Sequence, residues 1–268
     1  MERKINRVKI FCNDNEKSNK VYVALKNELI KFKFEVVEEL PYDLAISIGG
    51  DGSFLRMVKK TNFLNNIYYI GVNSGTLGFL QEIDINNMHD FVSRLNSNLY
   101  KVDEINIEEN NIITSRGNYK FNSLNEIVIR NSNFNMLRIP IYVDNELLEE
   151  FSGDGVLIST STGSTAYNMS FKGSIVYNTL NTLSITPIAP LNNKVFKTLL
   201  SSVIVPGDKI ISLVPLESYK NLFIQIDGVN RVFHDVERIE SKISSKKIKC
   251  LRMNEYHFIK IVNDKLLG

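Results

Sequence analysis

Residues 44–52 read LAISIGGDG, an apolar run that ends in three glycines around one aspartate. A short apolar run of this kind is typical of a strand buried on both faces of a parallel sheet. Residues 53–60 continue with a composition compatible with a helix, so the glycines lie at a strand-to-helix turn. Strand-like and helical patterns alternate in this way up to about residue 100. Residues 1–100 are therefore predicted to form an α/β domain around a parallel sheet.

The pattern changes after Tyr100 to short alternating or β-branched runs separated by turn residues. These runs occupy residues 105–107, 126–130, 139–143, 156–159, 183–186, 203–205, 209–214 and 222–226. Residues 165–176 are predicted to form a helix among them, because hydroxyl side chains can cap its start. A further strand-like run lies at 257–262. Residues 101–250 are thus predicted to form a mostly β domain, followed by a C-terminal segment, 251–268, that can return to the first domain.

The composition argues against several classes of partner. The 268 residues include 32 Lys and Arg against 30 Asp and Glu, and this balance favours neither a nucleic-acid nor a membrane partner. Cys12 and Cys250 form no CxxC pair and the histidines form no ligand-spaced cluster, so no metal-binding residues are predicted. The N-terminus lacks the apolar core of a signal peptide, and the expected location is the cytoplasm.

The GGDG turn is the sharpest candidate for chemistry. Glycines let a phosphate approach backbone N–H groups, and the N-terminus of the following helix favours negative charge. Asp51 would repel a phosphate unless it held a metal or took a proton, so its presence favours phosphoryl transfer over passive binding. The alternative is a plain strand-to-helix turn with Asp51 or Ser53 as the N-cap.

A second candidate comprises the GDG at residues 153–155 and the TSTGSTAY at residues 160–167. Hydroxyl-rich, glycine-bearing turns at the head of a helix offer several donors to phosphate or sugar oxygens, and the Tyr167 ring offers a surface for a base. The alternative is a helix capped by Ser and Thr, with Tyr167 in the core.

Two weaker candidates lie at strand ends. Asn125-Glu126 opens the strand run IVIR and can donate and accept hydrogen bonds at one place, although the pair in isolation favours an exposed strand end. The loop at 71–79 follows a strand at its carboxyl end, where open α/β sheets bind ligands. Phe79 in that loop can cover a flat base or can simply be buried.

The order of these motifs resembles the NAD kinase family. The resemblance rests on the GGDG turn, the loop NSGTLGFL at 73–80, the Asn-Glu pair and the GDG-to-TSTGSTAY segment, and covers roughly residues 44–170. GGDG alone is shared with diacylglycerol and sphingosine kinases and with phosphofructokinases, but GSTAY is much closer to NAD kinases. The sequence lacks GxxxxGK[ST], GxGxxG, HExxH and GxSxG, which argues against the enzyme classes that use them.

The resemblance implies ATP-dependent phosphorylation of the 2′-hydroxyl of the adenosine ribose of NAD, giving NADP. It implies that Asp51 is the general base and that Gly49, Gly50 and Gly52 form the phosphate-facing turn. The residues that it implies for NAD binding are Gly52, Phe79, Asn125, Glu126, Asp154, Thr165, Ala166, Tyr167 and Ser170. It further implies a homodimer or homotetramer, and a divalent cation, magnesium, that accompanies ATP.

Pattern and resemblance together predict an N-terminal Rossmann-like α/β domain and a C-terminal mostly β, β-sandwich-like domain acting as an NAD kinase. Two alternatives stay open at this point: a diacylglycerol-type lipid kinase and a noncatalytic dinucleotide-binding regulator. The phosphate donor is left open between ATP and inorganic polyphosphate, and the acceptor between NAD and NADH.

Overall fold

The computed structural model describes residues 4–73, 78–133, 135–217, 220–253 and 258–267. The chain forms two compact units. One consists of residues 1–105 and 247–268, and the other of residues 106–246.

The elements of the first unit alternate along the chain. The strands are β1 (Arg7–Phe11), β2 (Glu35–Val36), β3 (Leu44–Gly49), β4 (Tyr68–Asn73) and β5 (Ile83–Asp84), and the helices are α1 (Glu16–Lys31), α2 (Asp51–Lys60) and α3 (Met88–Asn96). The following strands are β6 (Lys101–Thr114), β7 (Gly117–Ser123), β8 (Glu126–Asn131), β9 (Leu137–Val143), β10 (Glu146–Gly153), β11 (Gly155–Thr160), β12 (Thr182–Ile188), β13 (Val203–Pro206), β14 (Ile211–Leu213), β15 (Leu222–Ile226), β16 (Val229–Phe233) and β17 (Val236–Arg252). The helices α4 (Tyr167–Ser170) and α5 (Phe258–Leu266) complete the chain order.

The first unit is built on parallel strands in the order β2-β1-β3-β4, as predicted. Both β3 and β4 are buried along their full length, which explains the continuous apolar run at 44–48. Helices α1 and α3 pack with Ile46 and Ile70 on one face of the sheet. On the other face the α2 residue Phe54 packs against Tyr69, with ring centroids 6.5 Å apart. The α/β prediction for this part of the chain is confirmed.

The C-terminal part of β17 belongs to the first unit. Lys249 and Cys250 pair in parallel with Tyr68 and Tyr69 of β4. Arg252 is only 4% exposed and forms ion pairs with Glu82 (3.2 Å) and Asp103 (2.9 Å). A buried charge of this kind is stable only when it is paired, so these contacts fasten the end of β17 in place.

The second unit contains two antiparallel sheets. One has the strand order β13-β12-β11-β8-β15-β16, and the other contains β10-β9-β14-β17 and the hairpin of β6 and β7. Ile127 and Ile158 of the first sheet share one buried cluster with Ile139, Leu213 and Ile239 of the second. The two sheets therefore pack face to face, and the predicted mostly β character is confirmed.

Two predicted elements differ from the structure. The helix predicted at 165–176 is only the single turn α4, after a 3-10 turn over Thr162–Thr165. The chain reverses because Lys172 has a φ of +59° and because Gly173 lies so close to Asn168 that a Cβ would overlap its side chain. The prediction of a strand at 257–262 is wrong for residues 258–262, which belong to the helix α5, and residue 257 lies outside the described residues. In the described ranges, no helix is long and apolar enough to cross a membrane.

Candidate active site

The GGDG turn joins β3 to α2 and is open on one side. Gly49 has a φ of +141°, and a Cβ there would overlap Ser53, so this position requires glycine. Within the described residues, a Cβ on Gly50 would meet no heavy atom within 4 Å, and one on Gly52 would meet only the Arg56 guanidinium, at 3.6 Å. Gly50 and Gly52 thus leave their backbone accessible to a ligand, which is the arrangement that phosphate binding needs.

Asp51 is the first residue of α2, and its carboxylate is held by the chain after β4. Its two oxygens accept the backbone N–H groups of Phe79 (2.8 Å) and Leu80 (2.9 Å). Gly78 lies directly against the carboxylate, where a Cβ would overlap it. A carboxylate oxygen has two lone pairs, so each can accept one further hydrogen bond. The N-cap of α2 is Gly50, with no side-chain cap, so the alternative with Asp51 or Ser53 as the N-cap is wrong.

The backbone of Phe79 therefore contacts Asp51, and Phe79 is half-buried. Residues 74–77 of the predicted loop at 71–79 lie outside the described residues.

Arg56 adds a cation beside the turn, and the sequence interpretation missed it. Its Nη2 donates to Asn13 Oδ1 (3.0 Å) and to Ser53 Oγ (2.9 Å), and the side chain of Asn13 donates to Ser53 Oγ (3.2 Å). Arg56 follows Gly52 by four residues in α2, a spacing that places both on one helix face. This four-residue spacing is the sequence pattern from which Arg56 could have been predicted to lie near the turn. An exposed guanidinium next to open glycines favours an anionic ligand.

Asn125 and Glu126 are buried, with side chains only 7% and 5% exposed, so the alternative of an exposed strand end is wrong. The carboxylate of Asp227 accepts the backbone N–H groups of Leu124 (2.8 Å), Asn125 (2.8 Å) and Glu126 (3.3 Å). The backbone of the pair is thereby fixed at the start of β8. The sequence analysis did not predict a role for Asp227.

The GSTAY segment lies against this pair. Gly163 is so close to Asn125 that a Cβ would overlap its backbone, and the Thr160 N–H donates to the Asn125 carbonyl (2.9 Å). Burial and the charge of Asp227 raise the pKa of Glu126 to about 8. The Tyr167 N–H donates to the Glu126 carboxylate and opposes this shift, but its effect is smaller. Among the described residues, Glu126 Oε2 has no hydrogen-bond partner. The structure therefore brings two of the predicted motifs together.

The remaining residues of this segment differ in exposure. Thr165 and Ala166 are half-buried and Ser170 is exposed. Tyr167 is 37% exposed, so the alternative that places it in the core is wrong. Its ring makes an edge contact with Phe171, with centroids 4.8 Å apart.

Asp154 is presented by two close-packed glycines. A Cβ on Gly153 would lie 2.7 Å from the Ala189 carbonyl oxygen, and one on Gly155 would lie 2.5 Å from that of Ile129. Asp154 itself is exposed, and its backbone N–H donates to Ile188 (2.9 Å). Its carboxylate is therefore accessible from solvent.

Comparison with known proteins agrees with these motifs. Residues 11–100 match the ATP-NAD kinase N-terminal domain and residues 124–252 match the ATP-NAD kinase C-terminal domain. The NAD kinase of Finegoldia magna is 34% identical over 268 residues, which cover 97% of each chain. This chain belongs to the NAD kinase family. It is accordingly a phosphotransferase, and the predicted family is confirmed.

Solved structures share the fold. The yeast NADH kinase in complex with NADH superposes with a TM-score of 0.85 at 21% identity, covering 100% of this chain and 89% of that one. The Archaeoglobus fulgidus NAD kinase in complex with ATP gives a TM-score of 0.75 at 20% identity, covering 96% and 97%. The predicted fold class, an α/β part followed by a β-rich part, is the one that NAD kinases have.

The described residues do not form a dedicated metal site. Within the described ranges, no group of three or more His, Cys, Asp or Glu side chains could hold a metal ion. Both oxygens of Asp51 already accept backbone N–H groups. A magnesium ion bound mainly by substrate phosphates and water needs few protein ligands, so it fits this site as part of the ATP substrate.

Proposed function

We propose that the protein transfers the γ-phosphate of ATP to the 2′-hydroxyl of the adenosine ribose of NAD, giving NADP. The observation that carries this proposal is the open backbone at Gly50 and Gly52 beside the fixed carboxylate of Asp51. An anion-accepting turn next to a potential proton acceptor is what phosphoryl transfer to a hydroxyl requires.

Asp51 acts as the general base in this proposal. A ribose hydroxyl is a poor nucleophile at neutral pH, and a placed carboxylate that accepts its proton contributes about 100- to 10,000-fold. Orientation of the hydroxyl toward the γ-phosphate can supply about 7–11 kcal/mol, so positioning outweighs the base. The hydrogen bonds from Phe79 and Leu80 support this role, because they hold the carboxylate in one place.

Gly49, Gly50 and Gly52 form the phosphate-facing turn. Gly49 shapes it, Gly50 and Gly52 leave it open, and Arg56 supplies a positive charge beside it. ATP would enter as its magnesium complex, and the cation would supply positive charge that offsets repulsion between the phosphates and the Asp51 carboxylate.

The NAD-binding residues are proposed to be those of the family motifs. Burial of Asn125 and Glu126 beneath the GSTAY segment supports them as polar groups that select the adenosine part. The other proposed contacts are Gly52, Phe79, Asp154, Thr165, Ala166, Tyr167 and Ser170. The β-rich domain, 101–250, is thus proposed to carry most of the NAD contacts.

A homodimer or homotetramer in the cytoplasm is also proposed. The free thiols Cys12 and Cys250 are compatible with a reducing compartment. Sedimentation of the active enzyme as a monomer would contradict the oligomer.

The test is to incubate the purified protein with magnesium, ATP and NAD and to quantify NADP with an NADP-specific dehydrogenase. Parallel reactions replace ATP by inorganic polyphosphate and NAD by NADH, which identifies the preferred donor and acceptor. Formation of NADP supports the proposal. Tight NAD binding without NADP formation would indicate a noncatalytic regulator, and phosphorylation of diacylglycerol instead of NAD would indicate a lipid kinase.

A further inference from the structure

Asp227 occupies a turn that directs its side chain back across the sheet. It forms with Gly228 the two-residue connection between β15 and β16, where Ile226 pairs with Val229. Their φ values are +43° and +77°, as a type I′ hairpin turn requires. Because β15 also pairs with β8, this turn lies at the start of β8, beside Asn125 and Glu126.

The carboxylate of Asp227 meets a run of three backbone donors. One oxygen accepts the N–H of Leu124, and the other accepts those of Asn125 and Glu126. The Asp227 N–H in turn donates to the Glu126 carbonyl (3.1 Å). Hydrogen bonds to an ionised acceptor are roughly twice as strong as neutral ones. These contacts fix the backbone of Asn125 and Glu126.

We propose that Asp227 is a positioning residue for NAD: its carboxylate orients Asn125 and Glu126 and places a negative charge beside Glu126, where that residue meets the substrate. This inference rests on the proposed function. Glu126 is only 5% exposed, and its Oε2 is a buried polar atom without a hydrogen-bond partner among the described residues, as expected of a group that pairs with a bound ligand.

Several described groups interact electrostatically with the carboxyl group of Glu126. The Tyr167 N–H of α4 stabilises its ionised form, whereas the charge of Asp227 opposes ionisation. Glu108 of β6 also interacts with both carboxyls, but burial raises the pKa of Glu108 well above its usual value. Among the described groups, burial, Asp227 and the Tyr167 N–H are the causes of the shift in the pKa of Glu126, and Glu108 is not one of them.

The test compares Asp227→Asn with wild type. An asparagine oxygen can still accept the N–H groups of Asn125 and Glu126, while the acceptor for the Leu124 N–H and the negative charge are lost. We expect the pH dependence of the KM for NAD, and of NAD affinity by calorimetry, to show an inflection near pH 8 that moves to lower pH in Asp227→Asn. The KM for ATP should not change.

Two further variants complete the test. Asp227→Ala removes all three acceptor contacts, and we expect the KM for NAD to rise about tenfold or more, as for the loss of a hydrogen bond to a charged group. Glu108→Gln, which keeps the hydrogen bond from Ser123, should leave the inflection in place. Thermal unfolding establishes whether each variant is folded. If Asp227→Ala does not fold, the kinetics of Asp227→Asn alone test the inference.

An inflection that is absent from the wild type, or unmoved in Asp227→Asn, would overturn the inference while leaving the kinase activity intact. If the wild type forms no NADP at all, the proposed function fails, and calorimetric binding of NAD still tests the role of Asp227.

Discussion

Gly52→Ala should make the protein more stable and less active at once. Gly52 is the second residue of α2, and among the described residues a Cβ there would meet only the flexible Arg56 side chain, at an ordinary 3.6 Å. Alanine is favoured over glycine within helices by about 1 kcal/mol, which corresponds to a rise in Tm of about 2–4 °C. The same methyl group would stand on the open side of the turn, where the proposal places a phosphate. We expect the KM for ATP to rise about tenfold or more, since a hydrogen bond to a charged group is worth about 1.5–3 kcal/mol.

The assay combines calorimetric unfolding with steady-state kinetics, in which ATP is varied at saturating NAD. Gly49→Ala is the matched control in the same turn. Its φ of +141° and the overlap with Ser53 should cost about 1–3 kcal/mol and lower the Tm. A Gly52→Ala enzyme with a raised Tm and wild-type kinetics would refute the assignment of this open face to phosphate. A lowered Tm would refute the reasoning about the helix.

Asp51→Asn should lower kcat about 100-fold or more with little change in NAD affinity, and near-wild-type turnover would eliminate Asp51 as the base. Asn125→Ala should raise the KM for NAD by up to about tenfold, and Asp154→Ala should raise it further with kcat nearly unchanged. Steady-state kinetics with NAD varied at saturating ATP tests both, and unchanged constants in both would remove these residues from the NAD site. Burial raises the pKa of Glu126 to about 8 in the folded protein, so the folded state binds more protons than the unfolded state, and stability falls as pH rises from about 4.5 to about 8. Glu126→Gln should therefore gain stability relative to wild type between pH 5 and pH 8.5 in urea unfolding, and an equal difference at both pH values would contradict the raised pKa.

The parts of the fold that the sequence predicted are those with local signals. The strand β3 and the start of α2 follow from an apolar run and three glycines within nine residues. The length of α4 could not be predicted in that way. It depends on the close contact of Gly173 with Asn168, whose amide is itself held by Ser164 and Ser174. The error at α5 arose because a short run with apolar residues at both spacings fits a strand and a helix alike.

The candidate site likewise contains residues that local motifs predicted and residues that only long-range contacts bring into place. Asp51 and Asn125-Glu126 were found because they lie in recognisable motifs. Asp227 was missed because it acts on residues more than 100 positions earlier in the chain, and only the pairing of β15 with β8 brings them together. Glu126 appeared to be an exposed strand end because its burial depends on the GSTAY segment that covers it.

The return of β17 to the first unit has a consequence for synthesis on the ribosome. The strand that pairs with Tyr68 and Tyr69 of β4 and the Arg252 ion pairs come from the last strand of the chain, β17. All of residues 106–246 must be translated before they emerge. At about 5–20 residues per second, the nascent first unit waits on the order of ten seconds with the edge of β4 at Tyr68 and Tyr69 unpaired. During that interval the exposed strand is a target for chaperones, and slowing translation in the second unit should increase aggregation of the nascent chain.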